Sequence, residues 1–356
     1  MEKEKIENTI VNDSISKLHI PLRRFCARVI DLSIYRFIVS AFLRHVLNVN
    51  TSIETGWKII ETPLPIILMY IIEPVLLSVI GTTLGKGIFG ISIKNKQGAA
   101  LTYDAAKRRS FQVFFYGMGG YFLPTMIWRL WKSYVDCKDG NTLPWEDESM
   151  YCVRDKKKWR FAVFVISCII LFFLNILSLL QAVVPKHRGP LTTEEFCENY
   201  NQLSKYLDLT PEMELDPMGN WIDNDGITVM SADGKALTYP QFYFKEENGE
   251  LVTVSFLCDA SEDTFVWAAS IKNQMLGAVL AYMGAQEEIS LLSDERNEIA
   301  LYIENHIHES FELTKAGIKM TYTIEYEGYE EIDGMLWPIE GEEQSNSYEF
   351  KMEKVK

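Results

Sequence analysis

Arg24, Arg28, Asp31 and Tyr35 follow one another at steps of four, three and four, so on a helix they share one face. The helix they imply runs into an apolar stretch from Leu32 to about Leu47. A carboxylate carried into a bilayer costs about 2.5–3.5 kcal/mol unless it meets a cation or water. Glu73 raises the same question in a second apolar stretch, Pro63 to Ile80, where Pro74 follows it and frees a backbone carbonyl. Two kinds of chemistry fit. Carboxylates on neighbouring helices can share a monovalent cation or a proton and form a polar path. The same residues can instead be structural ion pairs that orient one helix against the next. Residue types alone leave both readings open.

Other candidate sites are weaker. Gly81 to Gly87 is glycine-rich, but a phosphate-cradling loop ends in Gly-Lys-Ser/Thr, and here Gly87 follows Lys86. His306 and His308 are spaced like ligands on a strand, with no third ligand to join them, and read as a solvated helix end. Asp223-Asn224-Asp225-Gly226 resembles the start of a calcium loop but lacks the residues that would complete it. It reads as a turn before a strand over Ile227 to Met230. The six cysteines form no CxxC pair, and no Ser/His/Asp or Cys/His set stands out. No enzyme, metal or cofactor is expected.

These residues must be held by elements, and composition divides the chain in two. Residues 1–185 carry 23 Lys and Arg against 15 Asp and Glu, while residues 186–356 carry 12 against 34. A balance of +8 therefore meets one of −22 near Pro185. The acidic half speaks against nucleic acid, because nothing there would displace phosphate counterions. Met1 to about Ile20 is a polar leader without the apolar core of a secretory signal. Residues 21–185 are expected to form a helical transmembrane bundle of three or four segments. Arg28–Leu47, Pro63–Ile80 and the charge-free Phe161–Val184 supply three. Phe111–Trp131, interrupted by Gly117, Gly119, Gly120 and Pro124, either crosses once or is kinked and re-entrant. Between the second and third stretches, Ile91 and Ile93 alternate as in a strand, Lys96-Gln97-Gly98 reads as a turn, and Ala100–Tyr103 as the returning strand.

This first half resembles the RDD family of small bacterial membrane proteins. The features that carry the resemblance are the Arg24, Ala27, Asp31 entry, the carboxylate Glu73, and the loop containing Gly81, Thr83, Gly85 and Lys86 with Gly90 trailing it. Gly98 and Arg109 also fall where that family has such residues. Its later Trp-Asp or His-Asp pair corresponds to Trp145-Glu146-Asp147, where either Glu146 or Asp147 takes the acid's role. The resemblance implies a module of about residues 20 to 160, in a family for which transport, including sodium/proton antiport, has been proposed. On that basis Arg24, Arg28, Asp31 and Glu73 are candidates for an intramembrane path. The alternative is a membrane anchor for a domain that binds a protein or cell-envelope ligand.

Residues 186–356 read as a soluble α+β domain with an antiparallel sheet. Thr193 is a candidate cap for a helix over Thr192–Leu207, and Glu247-Asn248-Gly249 a hairpin turn between Gln241–Lys245 and Glu250–Leu257. Helices are expected over Thr264–Gly284 and Asp294–Glu309, and further strands over Ile318–Tyr326 and Ser347–Met352. Cys197 and Cys258, the two cysteines of this half, leave two alternatives if the domain lies outside the cell: a bridge that would stabilise it by a few kcal/mol, or two unpaired thiols. Orientation follows from basic residues. Lys3, Lys5, Lys17, Arg23 and Arg24 keep the N-terminus inside, and Lys86 to Arg109 is likewise cytoplasmic. The basic loop from Lys132 to Arg160 stays inside if Phe111–Trp131 dips and returns. That arrangement is preferred, and it exports the acidic domain from a multi-pass protein of the cell membrane.

Overall fold

Helix α1, Pro21–His45, spends its 25 residues on two unlike faces. Arg23, Cys26, Ala27, Ile30, Asp31, Tyr35 and Val39 are buried, while Leu22, Phe25, Ile38 and Phe42 are exposed. A short helix α2, Thr55–Glu61, leads to α3, Leu64–Val79, with Pro65 near its start and Pro74 inside it. The computed structural model describes residues 21–53, 55–155, 157–210, 213–223, 239–259, 268–290, 294–332, 335–339, 341–342 and 345–355. The polar leader, the turn and strand expected over 224–230, and the start of the helix expected at Thr264 lie outside those residues.

The chain divides into two units. One holds residues up to 46 and 54–176, the other residues 47–53 and 177–356. In the first, α3 gives way to the five-residue helix α4, Leu84–Ile88, and to strand β1, Ile91–Asn95. The expected return of that strand over Ala100–Tyr103 is corrected: β1 pairs antiparallel with β2, Ser149–Val153, with Ile93 opposite Tyr151. Thr102 instead caps helix α5, Tyr103–Gln112, by accepting from the Ala105 amide at 3.3 Å. A β-forming composition at 100–103 loses to a capping hydroxyl followed by Asp104.

Two helices among the described residues are long and apolar enough to cross a membrane: Gly56–Val79, which spans α2 and α3, and α7, Trp159–Ala182. Along α7, Val165, Ile166, Ile169, Ile170, Phe172 and Phe173 are all exposed. The stretch Phe111–Trp131 is not one helix. After α5 it passes through a π-turn at Val113–Gly117 and a 3-10 turn at Gly119–Tyr121, where Gly120 has φ +66°, and restarts as α6, Leu123–Lys138. Gly120 adopts a conformation that no helix propagates, and Pro124 suits the first turn of the helix that restarts.

The second unit is an antiparallel α+β domain. Helix α8, Thr193–Leu207, is closed by a capping box in which Thr192, rather than Thr193, accepts from the Glu195 amide and Glu195 accepts from the Thr192 amide. Thr193 turns instead to Glu246, to which its hydroxyl donates at 2.6 Å. Small ladders form between β3, Met213–Leu215, and β4, Trp221–Asp223. The main sheet contains β5, Tyr243–Glu247, and β6, Glu250–Asp259, joined by a turn in which Asn248 and Gly249 both have positive φ. Helices α9, Ala268–Tyr282, and α10, Glu295–Asn305, follow. Strands β7, Phe311–Lys315, β8, Ile318–Glu327, β9, Tyr329–Ile332, β10, Met335–Pro338, and β11, Ser345–Lys354, complete the unit. The sheet order is β5-β6-β11-β8-β7, and β9 pairs with β10 apart from it. One face is apolar: Ile318, Met320, Tyr322 and Ile324 of β8 and Tyr348, Phe350 and Met352 of β11 are buried, and polar residues alternate with them. Cys197 and Cys258 sit in this same core and are not bonded to each other, the second of the two alternatives left open for them. Both act as small core hydrophobes, and burial pushes the Cys197 thiol up to about 12.

Candidate functional site

Ala27 and Gly85 decide how closely the glycine-rich loop approaches α1. A Cβ on Gly85 would stand 2.1 Å from the Ala27 carbonyl oxygen, so only glycine fits there. The contact lets the Gly85 amide donate to Asp31 Oδ1 at 2.8 Å, while the Thr83 hydroxyl donates to Asp31 Oδ2 at 2.6 Å. Thr83 is also the N-cap of α4. One aspartate therefore ties the start of a short helix to the middle of a long one.

Glu73, 2% exposed, holds two cations. Arg28 Nη1 donates to its Oε2 at 2.6 Å, and Lys86 Nζ to its Oε1 at 2.7 Å. Lys86 Nζ also stands 3.9 Å from Asp31 Oδ2. Asp31 and Glu73 thus share a lysine from the loop. Arg28 and Arg24 take other partners: Arg28 turns to Glu73, and Arg24 Nη2 donates to Glu146 Oε1 at 2.7 Å. An arginine can reach a carboxylate on another element as readily as one a turn away on its own helix. Glu146 also accepts from the Leu143 amide at 3.2 Å, whereas Asp147 is exposed. Of the two acids left open by the sequence, Glu146 is the one inside.

Around this set the other residues that carry the resemblance form the frame. Trp145 is buried, and the Gly81 carbonyl accepts from the Ile93 amide at 2.7 Å. Gly98 closes the turn after β1 by donating to the Asn95 carbonyl at 3.0 Å. Gly90, at φ +65°, leaves room for the Arg160 guanidinium. Arg160 holds Asp155 through two nitrogens, at 2.8 and 2.7 Å, and donates to the Ile88 carbonyl at 2.6 Å. Arg23, also buried, donates to the backbone carbonyls of Asp155 and Lys157. Sequence reasoning had taken Arg23 and Arg160 only as orientation signals. Nothing in their local spacing marks them as internal ties.

Arg109 and Tyr151 form the last group. Arg109, 3% exposed, donates through Nη2 to the Tyr151 hydroxyl at 2.5 Å, and its Nε and Nη1 are buried without a partner among the described residues. The Arg24 guanidinium lies 3.7 Å from the centre of the Tyr151 ring. Burial alone would push the Tyr151 phenol up, but the Arg109 and Arg24 guanidinium groups beside it outweigh burial and hold it below its ordinary range. Tyr151 was not singled out in the sequence, where one aromatic in a short strand carries no signal.

The RDD family model matches residues 20–189. No curated protein and no solved structure matches the chain.

Proposed function

We propose that residues 20–189, which match the RDD family model, anchor and position the acidic domain, a binding or sensing unit displayed outside the cytoplasmic membrane. In this reading Asp31 and Glu73 are locks between helices and not stations on an ion path. The observation that carries it is their saturation. Glu73 is closed between Arg28 and Lys86, and Asp31 between Thr83 and Gly85. A carboxylate that relays a cation or proton must exchange partners, and a buried pair broken on one side loses about 3–5 kcal/mol.

Two features support the display of the domain. The ends of the segment 96–148 lie side by side, because β1 pairs with β2. Whatever path the broken stretch between α5 and α6 takes, it starts and finishes on one side. The linker after α1 belongs to the second unit, where the Asn48 side-chain amide donates to the Gln202 carbonyl at 2.8 Å. That linker and the acidic domain then share a side. In this reading α1, whose Arg23 and Asp31 are buried, crosses in addition to α3 and α7. With basic residues holding the N-terminus inside, the domain is outside.

Everted vesicles loaded with a pH-sensitive dye test the anchor reading. No sodium-, potassium- or proton-coupled change above that of vesicles lacking the protein is expected. A cation-dependent gradient that disappears in Asp31→Asn or Glu73→Gln, with expression retained, would restore the transport reading.

A further inference from the structure

The unit matched by the RDD family model contains a cavity of about 510 Å3 lined by both cationic and apolar side chains. Arg24, Arg28, Lys86 and Arg109 line it. Phe25, Ile127, Leu130, Trp131 and Tyr134 also line it, and of these Phe25, Ile127, Trp131 and Tyr134 are exposed. We propose that this cavity holds an anionic phospholipid, its phosphate against Arg109 and the neighbouring cations and an acyl chain along the apolar wall. The proposal goes beyond the anchor reading and holds whether or not the unit passes ions.

The positive charges are not all matched. Arg24 takes Glu146, and Arg28 and Lys86 share Glu73, with Asp31 a second neighbour of Lys86. Among the described residues Arg109 has no carboxylate within ion-pair distance, and it is almost wholly buried. Two of its nitrogens have no partner among those residues, and neither does Nε1 of Trp145, which lines the same cavity. Three buried donors without acceptors, one group carrying full charge, is a configuration that folded proteins avoid unless a ligand or water completes it. A guanidinium fork matches the oxygens of a phosphate. The depressed Tyr151 phenol reports the same excess of positive charge.

The apolar wall identifies the source of the phosphate. Free inorganic phosphate has no use for it, whereas an acyl chain does. Helix α6 carries exposed Trp128, Trp131 and Tyr134 beside Arg129 and Lys132, the composition of a helix at a membrane interface. Arg129 and Lys132 each approach the Trp128 ring, within 4.8 and 5.8 Å. The wall formed by Ile127, Leu130 and Trp131 is on this helix, so the cavity opens where lipid is at hand.

The full-length protein, purified in detergent and stripped of lipid, is titrated with short-chain phosphatidylglycerol, with phosphatidylcholine of the same chains, and with inorganic phosphate. Binding is read by native mass spectrometry and by the melting temperature. Phosphatidylglycerol is expected to bind at least tenfold more tightly than phosphatidylcholine and to raise the melting temperature. Inorganic phosphate is expected to do neither. Arg109→Gln is expected to abolish the preference, while the exposed neighbour Arg108→Gln keeps it. Because Arg109→Gln removes a buried group, Ile127→Glu provides a second test: it places a carboxylate at the exposed edge of the cavity and is expected to weaken phosphatidylglycerol at least tenfold in a protein that still elutes as a folded species. Equal binding of the two lipids, a preference unchanged in Ile127→Glu, or full stabilisation by inorganic phosphate overturns the proposal.

Discussion

Gly85 and Gly87 differ by two positions and should behave in opposite ways. A methyl on Gly85 has the Ala27 carbonyl 2.1 Å away, while one on Gly87 meets nothing within 4 Å. Gly85→Ala is therefore expected to destabilise the unit by about 1–3 kcal/mol, as overpacking does, and Gly87→Ala to leave the melting temperature within a degree or two or raise it. Equal melting of the two variants would mean that α4 does not lie against α1. Glu73→Gln removes the charge that Arg28 and Lys86 share, at an expected loss of about 3–5 kcal/mol, read as lost protease resistance in detergent. In the acidic domain, Cys197 stays protonated at neutral pH because its thiol is raised to about 12, so the thiolate that reacts with alkylating agents is scarce until the pH approaches that value. Native protein should leave Cys197 and Cys258 unmodified, and unreduced protein in denaturant should take up label at both. Failure to label both in denaturant would indicate a disulfide. At this scale the sequence marked most of the residues but few of the pairings. Steps of four and three put Arg24, Arg28 and Asp31 on one face, but spacing along one helix says nothing about Glu73 or Glu146, which arrive from other elements.

Among the elements, the pairing of β1 with β2 has the widest consequence. It brings residue 95 beside residue 149, so the excursion through α5, the two tight turns and α6 closes on itself. In whole cells bearing single cysteines on a cysteine-free background, a membrane-impermeant maleimide is expected to label Ser52→Cys in the linker after α1. It is expected to spare Gln97→Cys and Asn141→Cys, which stand at the two ends of the excursion. Labelling of Asn141→Cys without Gln97→Cys would mean that the broken stretch crosses the membrane. Local signals served well where an element closes on its neighbours. The hairpin at Asn248-Gly249 follows from a turn pair, and the helix ending at Leu207 from its local pattern, although its cap is Thr192 and not Thr193. They failed for β1, whose partner is supplied by a distant segment, and at Thr102, whose hydroxyl ends the extended chain.

For the molecule as a whole, the contrast between a basic half and a half of balance −22 fits two environments. A division was legible where charge and hydropathy change together near Pro185, although the main part of the second unit begins at Leu177. The share of the second unit taken by residues 47–53 was not, since a short polar linker looks the same whether it packs or hangs free. The central claim, a membrane module that displays the acidic domain outside, is tested most directly by paired reporters fused after Lys356. Alkaline phosphatase is expected to be active and green fluorescent protein dark. Bright fluorescence with inactive phosphatase would put the domain in the cytoplasm and contradict the claim.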